Sequence, residues 1–190
     1  INDAMIPLRP RGLLILVVGP SGAGKDSLLR GARAALPAGR FHFARREITR
    51  PSGDHEDSTP VSEADFARRA ANGAYLLWWR AHGLGYGIPR RCEAHLHAGC
   101  AVLANVSRTM LAEARVRLAP MRAVLVTAPP ALIAHRLRTR GREDAAAVQA
   151  RLARASLAVD GGDVIRFVND QPLPRAIAAF ARLLETLTHS

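Results

Sequence analysis

A phosphate-binding loop is indicated near the start of the sequence, in the stretch GPSGAGKDS that covers residues 19–27. It has the spacing G-x-x-x-x-G-K, in which backbone N–H groups surround the phosphates of a nucleotide and the lysine contacts the terminal ones. We predict that Ser27 bonds the α-phosphate or, alternatively, the backbone of the following helix. The residues expected to bind the nucleotide in this loop are Gly19, Pro20, Ser21, Gly22, Ala23, Gly24, Lys25, Asp26 and Ser27.

Asp26 stands where this motif normally has Ser or Thr, whose hydroxyl holds Mg²⁺. Mg²⁺ accepts one or two carboxylates together with waters and phosphate oxygens. A carboxylate beside a triphosphate would be repelled without a cation. We therefore predict that Asp26 is a catalytic residue that binds Mg²⁺, directly or through water. The alternative is an interaction with the positive end of the helix alone, which favours acids by ~0.3–1 kcal/mol.

Basic residues dominate the charge of the chain, whose formal net charge is +11 over 190 residues. Lys25 is the only lysine among the 27 Lys and Arg residues, and it lies in the phosphate loop. A compact ammonium suits that position better than a planar guanidinium. The arginines are spread along the chain without a dense tract, so the sequence predicts no nucleic-acid partner.

Alternating apolar runs and helical patterns indicate an α/β fold with a parallel sheet. The run LLILVV, Leu13–Val18, is typical of a strand buried on both faces, and a helical pattern follows the glycine loop. This order of strand, loop and helix is the context that a phosphate loop requires. Further strands are predicted over Cys100–Val106, Arg122–Ala128 and Asp163–Val168, and helices over about 108–118, 130–140, 144–158 and 173–188.

The segment from about residue 50 to 99 has a different pattern. It starts with the polar, turn-rich sequence RPSGDHEDSTP, and a capping box then predicts a helix over Ser62–Asn72. The sequence AYLLWWRAHGLGYGIP predicts two short strands joined by a glycine turn. We interpret this segment as a small insertion at the rim of the sheet.

The remaining features set the expected compartment and domain organisation. Residues 1–11 are expected to form a disordered leader, and residues 12–190 a single domain. The run LLILVV is too short to span a bilayer, so we predict no membrane partner. Cys92 and Cys100 fit neither a disulfide framework nor a zinc pattern, which favours the reducing cytoplasm. The oligomeric state is left open.

A set of short motifs resembles guanylate-kinase-like P-loop kinases from about residue 12 onward. These motifs are ITRP, SEADF, NGAYLLWW, HGLGYGIP, APP, RLRTRG, ARLARA and VND, in this order. The resemblance implies a mostly parallel central sheet flanked by helices, a small acceptor-binding insertion at about 50–99 and a helical lid at about 138–151. It also implies an ATP site with Mg²⁺.

Individual residue roles follow from the same resemblance. Arg136, Arg140 and Arg151 match lid arginines that close over the phosphates and offset transition-state charge, so they are predicted catalytic residues together with Lys25. Arg50 and Tyr86 match residues that bind the phosphate of the acceptor. Asn169 matches a residue near the adenine of ATP, and the alternative is that VND caps the end of the strand.

Departures from guanylate kinase change the expected acceptor. The glutamate that reads guanine is replaced by Leu77, and a serine that also reads the base is replaced by Arg46. Leucine cannot accept hydrogen bonds from guanine, which makes GMP a poor candidate. The stretch LANVSR has neutral residues where that family has two aspartates, and it adds an arginine. The predicted acceptor-binding residues are Arg46, Arg50, Tyr86, Asn105, Ser107 and Arg108.

The motifs GKDS, ITR, HGLGYG and NVSR together resemble ribose 1,5-bisphosphate phosphokinases of the PhnN type, which act in phosphonate breakdown. That family transfers the γ-phosphoryl group of ATP to ribose 1,5-bisphosphate and forms 5-phosphoribosyl 1-diphosphate. The implied partners are ATP and a small phosphorylated sugar.

Two other functions remain open. One is a nucleoside-monophosphate kinase with an altered choice of base, which a comparison of acceptors would distinguish. The other is a non-catalytic interaction module with a guanylate-kinase-like fold. Such modules typically lose loop and lid residues, whereas Lys25, Arg136, Arg140 and Arg151 are all present in this chain.

Overall fold

The computed structural model describes residues 12–51, 57–139, 159 and 161–189. The strands are β1 (Leu14–Val18), β2 (Phe41–Phe43), β3 (Arg46–Ile48), β4 (Ser58–Pro60), β5 (Tyr75–Ala81), β6 (Leu84–Pro89), β7 (Ala101–Asn105), β8 (Met121–Thr127) and β9 (Val164–Val168). The helices are α1 (Lys25–Ala35), α2 (Glu63–Ala71), α3 (Glu93–His97), α4 (Leu111–Arg117), α5 (Pro130–Thr139) and α6 (Leu173–His189). Short 3₁₀ turns cover Arg90–Cys92 and Arg108–Met110.

The main sheet has five parallel strands in the order β2-β7-β1-β8-β9. Its central strand β1 is buried along its whole length, as its continuous apolar sequence predicts. Ile15 and Val17 pack with Leu28 of α1 and Phe180 of α6, whereas Leu16 packs on the opposite face. Helices therefore cover the sheet, and the predicted α/β class and its four parallel strands are confirmed.

A second sheet of four strands has the order β4-β3-β6-β5. Strands β5 and β6 form the predicted hairpin, and its turn has positive φ angles of 52° at His82 and 74° at Gly83. A Cβ on Gly85 would lie 2.7 Å from the ring of Phe66, and one on Gly87 would lie 2.4 Å from the ring of Tyr75. The glycines of HGLGYG thus make room for two aromatic rings beneath β6.

The prediction of a two-stranded insertion at the rim is wrong in extent. The second sheet also includes β3, which begins at Arg46, and β4, which begins at Ser58. The edge strand β2 of the main sheet was not predicted either. Each of these strands has three residues, too few to show the alternation of apolar and polar side chains by which strands are recognised. The predicted helix over Ser62–Asn72 is confirmed as α2, which Ser62 caps.

Several predicted segments lie outside the described residues. They are the leader at 1–11, the helix at 144–158 and the lid residues from 140 onward. Among the helices that the structure describes, none combines the length and apolar character needed to cross a bilayer.

Candidate active site

The phosphate loop joins β1 to α1 and depends on three glycines with positive φ. The φ angles are 140° at Gly19, 84° at Gly22 and 91° at Gly24, values that other residues rarely adopt. A Cβ on Gly19 would lie 2.1 Å from the carbonyl oxygen of Val126, so this residue also lets the loop approach β8 closely. The loop therefore has the backbone conformation that the G-x-x-x-x-G-K motif predicts.

Lys25 begins α1, and its side chain reaches back across the loop. Its Nζ donates hydrogen bonds to the carbonyl oxygens of Gly19 at 2.7 Å and Pro20 at 2.9 Å. These contacts hold the ammonium group at the loop, next to the positive end of the helix. A phosphate bound by the loop would therefore meet a fixed positive charge.

Asn169 and Arg136 contact the loop through its backbone carbonyl groups. Asn169 is buried, and its Nδ2 donates to the carbonyl of Ala23 at 2.7 Å. Arg136 of α5 donates from Nη1 to the same carbonyl at 3.3 Å and from Nη2 to the carbonyl of Asn169 at 3.2 Å. The sequence predicts Asn169 at the ATP site and Arg136 as a catalytic lid arginine. In the structure both donate to the carbonyl of Ala23 in the phosphate loop.

Asp26, Asn105 and Arg46 meet at the start of α1. Asn105 donates from Nδ2 to Oδ1 of Asp26 at 2.7 Å, and Nη2 of Arg46 lies 3.7 Å from the same oxygen. Asn105 ends β7, which runs parallel to β1 with Asn105 opposite Val17, so it lies beside the phosphate loop. The structure thus brings one predicted metal residue together with two predicted acceptor residues.

Arg46 is held between a carboxylate and an aromatic ring. Its guanidinium carbon lies 5.9 Å from the ring centroid of Tyr86, within the range of a cation–π contact. Tyr86 in turn stacks on Trp79, with the ring centroids 5.3 Å apart. The side chain of Arg46 is only 13% exposed. Its position is therefore set before any ligand binds.

A groove extends from Asp26 between α1 and the strands β2, β3 and β7. One face of α1 forms a wall of it, with residues at i, i+3, i+4 and i+7. Asp57, at the far side, forms ion pairs with Arg33 at 2.6 Å and with Arg45 at 3.0 Å. The groove is lined by Asp26, Leu29, Arg30, Arg33, Phe43, Ala44, Arg46, Asp57, Leu103 and Asn105.

Arg50, Ser107 and Arg108 lie in the segments that follow β3 and β7. Arg50 is half-buried and lies just beyond the end of β3. Ser107 caps the 3₁₀ turn that Arg108 begins, because its Oγ accepts a hydrogen bond from the backbone N–H of Thr109 at 3.4 Å. Arg140 and Arg151 lie outside the described residues, so their predicted roles stay predictions.

Glu47 is a buried carboxylate that the sequence reasoning missed. Arg69 donates to its Oε1 at 2.7 Å, and the hydroxyl of Tyr75 donates to its Oε2 at 2.7 Å. Burial, together with the hydrogen bond to Glu47, raises the pKa of Tyr75 far above its usual value. Glu47 is the only acidic residue in the stretch ARREITR, which could have drawn attention to it. It was missed because β3, the strand that carries it, was not predicted.

The described residues include no group of three or more His, Cys, Asp or Glu side chains that could hold a metal ion. Asp26 is the carboxylate that the structure places at the phosphate loop. Its Oδ2 forms no hydrogen bond with the residues described, and its side chain is 40% exposed. One accessible carboxylate fits Mg²⁺, which takes its other ligands from phosphate oxygens and water.

Comparison with known proteins identifies close relatives over nearly the whole chain. The ribose 1,5-bisphosphate phosphokinase PhnN of Acidiphilium cryptum is 49% identical over 174 residues, 91% of this chain and 92% of that protein. The PhnN protein of Brucella melitensis biotype 2 is 42% identical over 181 residues, 94% of each chain. No family model matches the chain.

A longer relative is the bifunctional ribose 1,5-bisphosphokinase-thymidine phosphorylase of Cupriavidus pinatubonensis. It is 45% identical over 179 residues, which are 93% of this chain. The chain spans 30% of the length of that bifunctional relative.

Solved structures agree on the fold. A guanylate kinase from Anaplasma phagocytophilum superposes with a TM-score of 0.66 over 96% of this chain and 89% of its own, at 18% identity. A sugar kinase from Janibacter sp. HTCC2649 superposes with a TM-score of 0.52 over 92% of this chain and 95% of its own, at 20% identity. The predicted guanylate-kinase-like fold is confirmed.

Proposed function

Because the chain belongs to the PhnN family of ribose 1,5-bisphosphate phosphokinases, we propose that it transfers the γ-phosphoryl group of ATP to ribose 1,5-bisphosphate. The products are 5-phosphoribosyl 1-diphosphate and ADP. The observation that carries the proposal is the high identity to PhnN proteins over more than nine tenths of both chains. The family prediction made from the motifs is confirmed by the same relatives.

The acceptor side of the site supports a phosphorylated sugar rather than a guanine base. Leu77, where guanylate kinases have a base-reading glutamate, is 1% exposed and packs in the hydrophobic core. Arg46, where they have a base-reading serine, presents a guanidinium to the groove. A planar guanidinium suits a phosphate, with which it forms two parallel hydrogen bonds.

The transfer step breaks one bond and forms another. An oxygen of the 1-phosphate attacks the γ-phosphorus of ATP, and the bond from that phosphorus to the bridging oxygen of ADP breaks. An ionised phosphate oxygen has no proton to lose, so the step requires no general base. The protein contributes positioning and charge neutralisation, which dominate catalysis of phosphoryl transfer.

Lys25 and Asp26 are assigned to the donor side of the site. Lys25 provides a positive charge to the β- and γ-phosphates of ATP. We assign Mg²⁺ to Asp26, whose half-exposed carboxylate lies at the start of α1. When bound, Mg²⁺ neutralises charge on the transferring group. Arg136 and Asn169 keep the phosphate loop in place, and Arg140 and Arg151 are proposed to reach the phosphates from the lid.

The acceptor preference tests this proposal. The protein is supplied with ATP and Mg²⁺ and with ribose 1,5-bisphosphate, GMP or AMP, and ADP release is measured for each acceptor. We expect clear preference for ribose 1,5-bisphosphate. Preference for GMP would instead show a nucleoside-monophosphate kinase, and no turnover with any acceptor would favour a non-catalytic module.

The compartment is part of the same proposal. The thiol of Cys92 is buried, that of Cys100 is half-buried, and both are free cysteines. Free thiols are typical of a reducing compartment. We therefore place the enzyme in the cytoplasm.

A further inference from the structure

The groove beside Asp26 carries more positive than negative charge. Three arginines and two aspartates line it: Arg30, Arg33, Arg46, Asp26 and Asp57. Arg33 pairs with Asp57 at 2.6 Å, and Arg46 lies 3.7 Å from Asp26. Within the part of the chain that the structure describes, Arg30 forms no hydrogen bond or ion pair. Among the described residues, Arg30 is thus the lining cation that no carboxylate pairs with.

The position of Arg30 relates it to the phosphate loop. It lies four residues after Asp26 on α1, so both side chains face the groove, about 6 Å apart along the helix. The groove between them has apolar side chains from Leu29, Phe43 and Leu103. An elongated ligand with an anionic group at each end fits this pattern of charge better than a flat aromatic base.

We propose that Arg30 binds the phosphate of ribose 1,5-bisphosphate that does not react, the 5-phosphate. This inference rests on the proposed function. The 1-phosphate lies at the Asp26 end, close to the donor, and the ribose ring spans the groove. Arg46 assists from β3. Arg30 therefore distinguishes a bisphosphate from a sugar with one phosphate.

Binding measurements without ATP test this role directly. The affinities of the intact protein for ribose 1,5-bisphosphate and ribose 1-phosphate are measured by calorimetry. They are measured again for Arg30→Ala, Arg30→Lys and the control Arg182→Ala, which replaces an exposed arginine of α6. Alanine is a favourable helix residue, so we expect each variant to fold. Thermal unfolding of each variant checks this.

We expect Arg30→Ala to weaken binding of the bisphosphate by about 10- to 100-fold, the usual effect of losing a charged hydrogen bond. The affinity for ribose 1-phosphate should change by no more than about twofold, because this ligand has no 5-phosphate for Arg30 to bind. Arg30→Lys recovers part of the loss, because it keeps the charge without the planar fork. Arg182→Ala binds both ligands as the original protein does.

Equal weakening for both ligands, or no change for either, would overturn the assignment of Arg30. Turnover separates this from the proposed function. If the original protein phosphorylates the bisphosphate and Arg30→Ala has the same KM for it, the role of Arg30 is refuted and the proposed function stands. A protein that prefers GMP as acceptor refutes the proposed function and the role of Arg30 with it.

Discussion

Asp26 has an environment that leaves one side of its carboxylate accessible. Asn105 donates to Oδ1, and an amide neither repels a phosphate nor competes with Asp26 for a cation. Arg46 lies 3.7 Å from the same oxygen and competes electrostatically with a metal. Binding of Mg²⁺ at Asp26 would weaken this pairing and make Arg46 available to the acceptor phosphate.

Replacement of Asp26 by asparagine tests its role as a magnesium ligand. We expect the Mg²⁺ concentration for half-maximal activity to rise about tenfold or more, because the variant loses a charged oxygen ligand. Activity measured over a magnesium titration at saturating ATP shows the effect. The matched control is Asp57→Asn, which removes a carboxylate from the same groove. An unchanged magnesium dependence in Asp26→Asn would contradict the assignment.

At the scale of the elements, β3 connects the groove to the interior of the second sheet. Successive side chains of a strand point to opposite faces. Arg46 accordingly lines the groove, whereas Glu47 is 3% exposed and bonds Arg69 and Tyr75. We therefore infer that Glu47 is a positioning residue, because it holds the strand that carries Arg46 and leads to Arg50.

Glu47→Gln is expected to lower the free energy of unfolding by about 1–3 kcal/mol, because buried partners lose a charged acceptor. The KM for the acceptor should rise several-fold while the KM for ATP stays unchanged, since the phosphate loop is on the other sheet. Urea unfolding and steady-state kinetics measure these effects. Glu63→Gln is the control, because its ion pair with Arg80 is exposed and should contribute little. A parallel rise in both KM values would argue against a positioning role.

Two histidines join β2 to α3 at the edge of the main sheet. The rings of His42 and His95 stack with their centroids 3.6 Å apart, and Nε2 of His42 lies 3.7 Å from Sγ of Cys92. Burial lowers the pKa of His42, as do the nearby charges of His95, Arg33 and Arg91. Cys92 also faces this pair, and burial raises the pKa of its thiol.

The lowered pKa of His42 predicts a loss of stability in acid. Between its usual pKa of about 6.5 and its lower folded value, the unfolded chain binds more protons than the folded chain. The free energy of unfolding should therefore fall as the pH drops below about 6.5. Urea unfolding at several pH values should show a smaller fall for His42→Gln than for the original protein. The control is His82→Gln, which replaces an exposed histidine. Identical pH profiles for the original protein and both variants would refute the prediction.

At the scale of the whole molecule, the two sheets share one hydrophobic cluster. Leu16 of β1 packs in the same cluster as Leu76 and Trp79 of β5. The second sheet is therefore supported by the sheet that carries the phosphate loop. A ligand that binds this groove stabilises the folded molecule as a whole, since it does not bind the unfolded chain.

Ribose 1,5-bisphosphate is expected to raise the melting temperature, whereas GMP at the same concentration is not. A ligand present at 100 times its Kd adds about 2.7 kcal/mol to the free energy of unfolding. Differential scanning fluorimetry with each ligand, and with ATP and Mg²⁺ added separately, measures this. Equal shifts with GMP and the bisphosphate would show that the groove does not select its acceptor as proposed.

The sequence alone determined the phosphate loop and the class of fold. Both depend on local properties: glycines at Gly19, Gly22 and Gly24 permit positive φ, and a continuous apolar run requires burial on both faces. Its motifs also predicted the family. Strands of three residues, such as β3, escaped prediction because they have too few residues to show a period.

Only the tertiary structure decided which side chains share the site. Asp26 and Asn105 are separated by 79 positions in sequence, yet their side chains form a hydrogen bond. The contact exists because β1 and β7 are parallel neighbours, so residues at and beyond their carboxyl ends meet at one edge of the sheet. The tertiary structure likewise places Glu47 against Arg69 and Tyr75, and it places Arg30 in the groove. Periodicity reports the local conformation of a segment, whereas contacts between distant segments depend on how the sheets assemble.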